Sequence, residues 1–414
     1  MTEHKKLTVL GGSSIASPLF VQELVKRLDR PPFEVCLVGR TRDKLEKVAA
    51  ASARLAESAQ TPLKISFETD TRKGLEGADY ILNQIRVGGY AARAYDERFP
   101  KQFGILGDET YGPGGMSNAL RTIPVVLEYC REIEAVAPQA VVLNLTNPNS
   151  FIQYAATRYS KVNIVGVCDS PVGIGEGIAA MLNVPYKELW VEYVGMHHFG
   201  WVVKAIWKGR DMMPEILSKL EQVPGLPVDA DIARAVGGIP TSYFKYFYHA
   251  NRVFEKQKDQ EKVRAEQLME LEAQVMKDYD SGAEGLPEAL MQRGAHWYGA
   301  IVAPVMLAHA NNANEVYILN VVNGTTIKWM PENAIVETPT LVSAHGFTPL
   351  SPASAPPDLQ AMVRLNAAFE MLWVEAVVEK DYGKALRAMM LNHLVQNLDQ
   401  AKAILKEIWK YKPK

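Results

Sequence analysis

The residues best suited to chemistry lie between Cys168 and His198. This stretch reads Cys168-Asp169-Ser170-Pro171, then a helical run, then Gly195-Met196-His197-His198-Phe199-Gly200-Trp201. A thiolate and a neutral imidazole suit a transition-metal ion better than calcium or magnesium. Asp169 places a proton donor directly beside the thiol. The same residues also fit a plain packing role, because a lone cysteine behaves as a small buried hydrophobe and a lone histidine is commonly a satisfied core or surface residue. The elements that would have to carry these side chains bear on the choice.

Lys6–Leu10 is a short apolar strand pattern, and Gly11-Gly12-Ser13-Ser14-Ile15 follows at once. Pro18–Leu28 then has helical spacing, with Phe20, Leu24 and Leu28 on one face. Small residues between a strand and a helix let the backbone approach a pyrophosphate, and the helix N-terminus favours its charge. A tight turn with no ligand fits the same residues, since the full Gly-x-Gly-x-x-Gly pattern is absent. The second strand, Phe33–Val38, would end in an acid if it bound the ribose of NAD. Here it runs into Gly39-Arg40, where an arginine accommodates a 2′-phosphate or simply lies on a solvated turn. Further strands are expected at 63–67, at about 80–83, at 140–144 and at 162–167. Strands alternating with helices predict an α/β fold, a Rossmann-type doubly wound parallel sheet.

Ligands in such sheets lie beyond the carboxyl ends of the strands. Arg86 with Gly88-Gly89, Asn147 in Thr146-Asn147-Pro148, and Cys168 all fall just past expected strand ends. They share a rim with the glycine turn. Asp108–Gly115 reads as a long polar, glycine-rich loop, followed by a helix over 118–135. Two strands, 189–194 and 199–208, flank His197 and His198. Beyond them the pattern turns mainly helical, through Tyr243–Tyr248, 252–278 and 293–310, where the tyrosines fit core packing. A strand at 315–322, an Asn323-Gly324 hairpin turn, a return strand at 325–329 and a further strand at 334–342 follow. A late helix is expected to bury Met362, Leu365, Phe369, Leu372 and Ala376, and the last helical run covers 386–409. The expected division is a dinucleotide-binding domain over 1–195 and a mixed, mainly helical second lobe over 196–414.

The chain has 414 residues, 48% hydrophobic and 22% charged, with a formal net charge of -2. That length exceeds one ordinary core. The charge gives no footprint for nucleic acid or an anionic membrane, and no run is long enough to span a bilayer. The start, Met1-Thr2-Glu3-His4, shows no signal-peptide pattern. Three widely spaced cysteines, Cys36, Cys130 and Cys168, fit a reducing, cytoplasmic setting.

Several motifs, in order, resemble those of glycoside hydrolase family 4, the NAD- and metal-dependent 6-phospho-glycosidases and their relatives. They are Gly11–Pro18, Ile85–Gly88, Gly107–Gly115, Thr146–Pro148, Cys168–Pro171, Gly195–Trp201, Ile239–Tyr246, Val263–Ala265 and Asn323-Gly324. The resemblance implies that Cys168 and His198 hold a divalent metal, usually Mn2+. It implies that Asp169 protonates the leaving oxygen and that Tyr243 is the base, its phenol pKa lowered by its surroundings. Arg86, Asn147 and Arg264 would bind the sugar or its phosphate. Gly11, Gly12, Ser13, Ser14, Ile15 and Arg40 would meet NAD or NADP. The implied mechanism is redox-assisted elimination: hydride transfer from C3, loss of the C2 proton, departure of the aglycone from C1, addition of water and return of the hydride. The implied substrate is a small phosphorylated disaccharide or glucoside, and a homodimer or homotetramer is implied as well.

Some positions depart from the family pattern. Ser13 stands in place of a third glycine, Gly39 in place of the ribose-binding acid, Asp108 in place of a glutamine, and His197 in place of an asparagine. The form Cys-Asp-x-Pro favours α-anomers. A 6-phospho-β-glucosidase and an α-galactosidase or uronidase are the alternatives within the family. A malate- or lactate-like dehydrogenase and a non-catalytic dinucleotide-binding regulator are the alternatives outside it.

Overall fold

Runs of apolar residues buried on both faces become parallel strands when helices cover both sides of a sheet. Six strands are laid down this way, β3 and the start of β6 being less buried than the others: β1 (Lys5–Leu10), β2 (Phe33–Val38), β3 (Lys64–Glu68), β4 (Tyr80–Asn83), β5 (Val141–Asn144) and β6 (Asn163–Gly166). All pair in parallel, in the order β3-β2-β1-β4-β5-β6, which is the doubly wound dinucleotide-binding arrangement. The structure is a computed structural model describing residues 5–27, 30, 33–222, 228–282 and 285–410. The residues before Lys5, Leu28 at the end of the expected 18–28 helical run, and residues 223–227 lie outside that set.

The sheet does not end at β6. Strands β7 (Leu189–Met196) and β8 (Phe199–Trp207) form an antiparallel hairpin, and β9 (Arg210–Asp211) and β10 (Ile239–Pro240) flank β8. Strands β11 (Glu315–Val322), β12 (Ile335–Ser343) and β13 (Gly346–Pro349) complete it. β11 docks on β6 through Asn320 opposite Gly166, and β12 docks on β7 through Glu337 opposite Gly195. Among the described residues the result is one 13-stranded mixed sheet. Contact at the β6–β11 seam needs a glycine, because a Cβ at Gly166 would lie 2.2 Å from Asn149 Oδ1 and 2.7 Å from Asn320 Cβ.

Several expectations are corrected. Residues 325–329 are not a return strand; β11 pairs with β12 instead, Val322 opposite Ile335. The intervening loop is tied by the Asn323 amide, which donates to Ile327 O, Met330 O and Pro331 O at 3.1–3.2 Å and accepts from Ile327 N at 2.8 Å. The glycine-rich 108–115 segment is only partly a loop, since a helix begins at Gly112 and runs to Val136. Its glycines serve close packing: a Cβ at Gly114 or Gly115 would lie 2.2 Å from Asp108 O or Thr110 O. The late helix, Pro357–Glu379, buries Leu359, Val363, Phe369, Trp373 and Val377, while Leu365 is 48% exposed. The expected 252–278 and 386–409 helices are each broken in two, at residues 259–263 and 392–397. No helix among the described residues is long and apolar enough to cross a membrane.

Candidate active site

The hairpin between β7 and β8 is closed by two residues, His197 and His198, with Met196 opposite Phe199. His198 takes the left-handed backbone conformation, φ 61°. Gly195 precedes them at φ 151°, where a Cβ would lie 2.3 Å from Gly200 Cα. The turn therefore presents both imidazoles in a fixed direction, toward the end of β6. There Cys168 follows the strand by two residues, so its thiol meets the two rings. One donor atom from each of Cys168, His197 and His198 lies within 4.8 Å of the others, and all three residues are buried.

Burial without a counter-charge keeps these groups neutral. It pushes the Cys168 thiol well up, with Glu337 and Asp169 adding to the effect. It pulls His197 down to about 3, and burial and then the neighbouring His197 hold His198 well below its ordinary value. His198 Nδ1 has no hydrogen-bond partner. A neutral imidazole with an unused nitrogen beside a thiol, out of water, fits a divalent cation, which would deprotonate the thiol and use the lone pairs. Glu337 is fully buried nearby, and its side chain accepts a 2.8 Å hydrogen bond from Asn320 Nδ2. Burial pushes its carboxyl up to about 8, so it stands as the neutral acid at neutral pH.

Tyr243 stacks face to face on His198, with ring centroids 3.4 Å apart and planes 11° from parallel. The aromatic cluster thus brings the candidate base to the candidate metal ligand. Its electrostatics correct one expectation. Burial, then the Asp108 carboxyl and the Cys168 thiol, hold the phenol well above its ordinary value rather than below it. Only added positive charge at this spot would bring the proton within reach of neutral pH.

Asp169 stands at the N-cap position of the helix Ser170–Leu182 without a side-chain capping bond and is partly exposed, with His296 Nδ1 3.9 Å from its carboxylate. Burial raises its pKa despite a hydrogen bond from its own backbone and the nearby His296. A carboxyl that holds its proton longer than usual is suited to protonate a leaving oxygen.

On the same rim, Arg86 follows β4 and pairs with Glu109, and Arg93 Nη1 reaches the other oxygen of Glu109 at 2.9 Å. Burial alone would raise the Glu109 pKa; the two arginines outweigh it and hold the carboxylate ionised. Asn118 Nδ2 donates to Glu109 O at 3.0 Å and to Asn147 O at 3.1 Å, joining the 108–115 and 146–148 segments. Arg121 Nε donates to Val87 O at 3.0 Å and so steadies the Arg86 loop. Asp108 Oδ1 accepts from Thr110 N and Tyr111 N at 2.8 and 2.9 Å, yet burial still pushes the carboxyl up to about 6.

Arg264 is placed differently. It is exposed at the start of the helix Arg264–Asp280, where its guanidinium donates to Gln267 Oε1 at 3.2 Å. Its link to the rim is indirect, through Ala265 N, which donates to Glu97 Oε2 at 2.8 Å.

At the dinucleotide turn, Gly11 and Gly12 both donate their N–H groups to Val38 O, at 3.1 and 2.8 Å. They give close approach rather than donors: a Cβ at Gly11 would lie 2.7 Å from Gln84 O, and one at Gly12 would lie 2.7 Å from Val38 N. Ser13, Ser14 and Ile15 lead from that turn to the helix Ser17–Val25, the place a pyrophosphate needs. Gln84 braces the turn by donating to Ser17 Oγ at 3.1 Å and accepting from Tyr298 OH at 2.6 Å. Arg40 is exposed just past β2, and a Cβ at Gly39 would stand 3.1 Å from Ser13 Oγ.

Sequence reasoning did not single out Glu109, Asn118, Gln84, His296 or Glu337 for the site. Their placement depends on contacts across the fold. Only the strand-end position of Gln84 was a usable signal.

The comparisons with known proteins agree along the whole chain. Residues 6–184 match the model of the family 4 glycosyl hydrolases, and residues 193–395 match that of the family 4 glycosyl hydrolase C-terminal domain. The chain is 31% identical to a probable 6-phospho-beta-glucosidase of Bacillus subtilis, covering 99% of this chain and 96% of that one. It is 27% identical to the phospho-alpha-glucosidase PagL of Clostridium acetobutylicum, covering 97% and 96%. Among solved structures, the 6-phospho-beta glucosidase of Thermotoga maritima with manganese, NAD+ and glucose-6-phosphate superposes with a TM-score of 0.90 at 25% identity, covering 98% and 97%. With the fold, the thiol–imidazole cluster and the dinucleotide turn in agreement, the chain belongs to family 4 of the glycosyl hydrolases.

Proposed function

We propose that this enzyme hydrolyses 6-phospho-glucosides, using NAD or NADP and a divalent ion of the Mn2+ class. The carrying observation is the meeting of Cys168, His197 and His198 under the ring of Tyr243, on the rim where the dinucleotide turn opens. When bound, the nicotinamide supplies reversible hydride transfer and the ion polarises the adjacent sugar oxygens. Cys168 and His198 hold that ion. Tyr243 takes the proton at C2 of the sugar, Asp169 gives its proton to the departing oxygen, and the hairpin turn keeps the imidazole under the phenol. Arg86 and Asn147 orient the sugar or its phosphate, with Glu109 fixing the guanidinium of Arg86. Arg264 serves the phosphate once its exposed side chain turns inward from Gln267. Ser13, Ser14, Ile15 and Arg40 meet the dinucleotide, and Gly11 and Gly12 leave the space for it.

The α-anomer is the first reading, on Asp169 after the thiol. The β-anomer is the second, favoured by the 31% identity to a probable 6-phospho-beta-glucosidase. The division near residue 195 is proposed as a functional one, with cofactor binding before it and substrate and subunit contacts after it; the two family-model matches, 6–184 and 193–395, support this. The enzyme is proposed to act in the cytoplasm as a homodimer or homotetramer. The test is incubation with the α- and β-nitrophenyl 6-phospho-glucosides, Mn2+ and either cofactor, following nitrophenol and nicotinamide absorbance together. Release of nitrophenol without net NAD(P)H is expected. Stoichiometric NAD(P)H would make the protein a dehydrogenase, and cofactor binding without turnover would make it a regulator.

A further inference from the structure

A hairpin closed by two adjacent histidines delivers both rings to the same place. Cys168, His197 and His198 are 4%, 5% and 5% exposed, and one donor atom from each lies within 4.8 Å of the other two. One small ion with bonds of about 2.0–2.3 Å can reach three donors so spaced after modest side-chain rotation. His198 Nδ1 is buried with no partner, so the cluster has unused coordinating capacity. We propose that His197 is a third protein ligand of the divalent ion, so that this chain holds its metal with one thiolate and two imidazoles and prefers zinc or cobalt to manganese. The inference deepens the metal reading under Proposed function and rests on it.

The chemistry of the donor set points this way. Manganese favours carboxylate, carbonyl and water oxygens and stands lowest in the divalent affinity order, whereas sulfur and imidazole nitrogen suit zinc and cobalt. Three protein donors with a fourth position open is the pattern of catalytic rather than structural zinc. Local geometry allows it with one adjustment. The two imidazoles lie face to face, 3.6 Å apart and 26° from parallel, and their lone pairs lie in the ring planes. Both lone pairs reach one ion when one ring turns. His198 is clamped by Tyr243 on its other face. Both histidines border a cavity of ≈ 20 Å³, lined also by Ser150, Asn366 and Glu370, room for about one water beside the rings; His197 lacks the Tyr243 ring on its outer face, so it is the ring that turns.

The test is equilibrium dialysis of the metal-stripped full-length chain against Zn2+, Co2+ and Mn2+ separately, with metal analysis and the absorption spectrum of the cobalt form. The wild-type chain should bind Zn2+ and Co2+ more tightly than Mn2+, and its cobalt form should show a thiolate charge-transfer band. His197→Asn should keep that band but weaken Zn2+ and Co2+ binding by at least about 10–100-fold, the range seen when even an outer-sphere partner is lost. His197→Cys, which restores a donor, should recover tight binding. Cys168→Ser should lose the band. Thermal melting without metal checks that each variant is folded. Wild-type preference for Mn2+, or wild-type Zn2+ and Co2+ affinity in folded His197→Asn, would overturn the third ligand and leave a Cys168–His198 site standing. Unchanged metal affinity in both Cys168→Ser and His198→Ala would instead overturn the metal reading itself.

Discussion

Glu370 offers a quantitative test of the packing around the site. It lies on the helix Pro357–Glu379, is 6% exposed, and shares the small cavity with His197 and His393. Asn366 Nδ2 donates to its Oε1 at 2.9 Å, while its Oε2 is buried without a partner in hydrogen-bonding geometry. Burial, only partly offset by hydrogen bonding from Ser150 and Asn366, pushes the carboxyl from 4.5 up to about 7. Between those values the folded chain binds the proton and the unfolded chain does not, so stability falls as pH rises through the window. At about 1.36 kcal/mol per pH unit, the loss from this group comes to about 3 kcal/mol, fully present above pH 7 and absent below pH 4.5. Glu370→Gln keeps the shape and the contact with Asn366 but removes the titration. The metal-free variant should match the wild type near pH 4.5 and exceed it by up to about 3 kcal/mol at pH 8. Urea unfolding in EDTA at several pH values measures the difference. Parallel curves for the two chains would refute the reasoning and mean that water in the cavity solvates the carboxylate.

Tyr243→Phe keeps the ring on His198 but removes the hydroxyl. Activity should fall about 10²–10⁴-fold with metal and cofactor affinity retained, and hydrolysis by the wild type in heavy water should place deuterium at C2; a fully active variant with no deuterium at C2 would return Tyr243 to a packing role. NADP should bind at least as tightly as NAD, because the exposed Arg40 follows β2 where an acid would repel a 2′-phosphate. Arg40→Asp should reverse the order in a fluorescence titration, and a strong NAD preference in the unmodified chain would leave Arg40 a solvated turn residue. Asn323→Ala removes the acceptor for Ile327 N and the donor to three carbonyls. It should destabilise the chain by about 2–4 kcal/mol in denaturant unfolding, from one orphaned buried donor and lost hydrogen bonds; a change under about 0.5 kcal/mol would mean the loop is held by its packing alone.

The parallel half of the fold was open to sequence reasoning because its strands β2, β4 and β5 are buried along nearly their whole length and read as apolar runs. β2 matches expectation residue for residue, and β1 and β6 to within one; of the antiparallel strands, β11 also matches residue for residue. The rim followed, since Arg86, Asn147 and Cys168 needed only the strand ends to be placed. What escaped depends on partners distant in sequence. Asn323-Gly324 looks like a hairpin turn, but the Asn323 side chain replaces a ladder and hands β11 to β12 thirteen residues on. Leu365 fits an apolar stripe with Phe369, yet the helix buries Phe369 with Val363 and Trp373 and leaves Leu365 exposed; Trp373 donates its indole N–H to Met116 O at 3.1 Å, a partner distant in sequence. Glu109 lies inside the Gly107–Gly115 motif, but nothing in that segment sets its charge; two arginines from other elements do. The direction of the Tyr243 shift was missed because its causes are tertiary: burial first, then the Asp108 carboxyl and the Cys168 thiol, 135 and 75 residues upstream.

The seam between β6 and β11 bears on how the chain is made. β6 is complete once Gly166 has left the ribosome, but its neighbour in the sheet, centred on Asn320, is translated much later. Until then β6 is an open edge of a parallel sheet, with unpaired backbone groups able to recruit another chain. Pairing across so long a separation is slow, and intermediates with unpaired edges aggregate. Fragments ending between residues 170 and 310 should therefore need chaperones to stay dispersed, although they contain every strand of the dinucleotide fold. The space that Gly166 leaves for Asn320 sets the moment at which this enzyme becomes safe from its own copies.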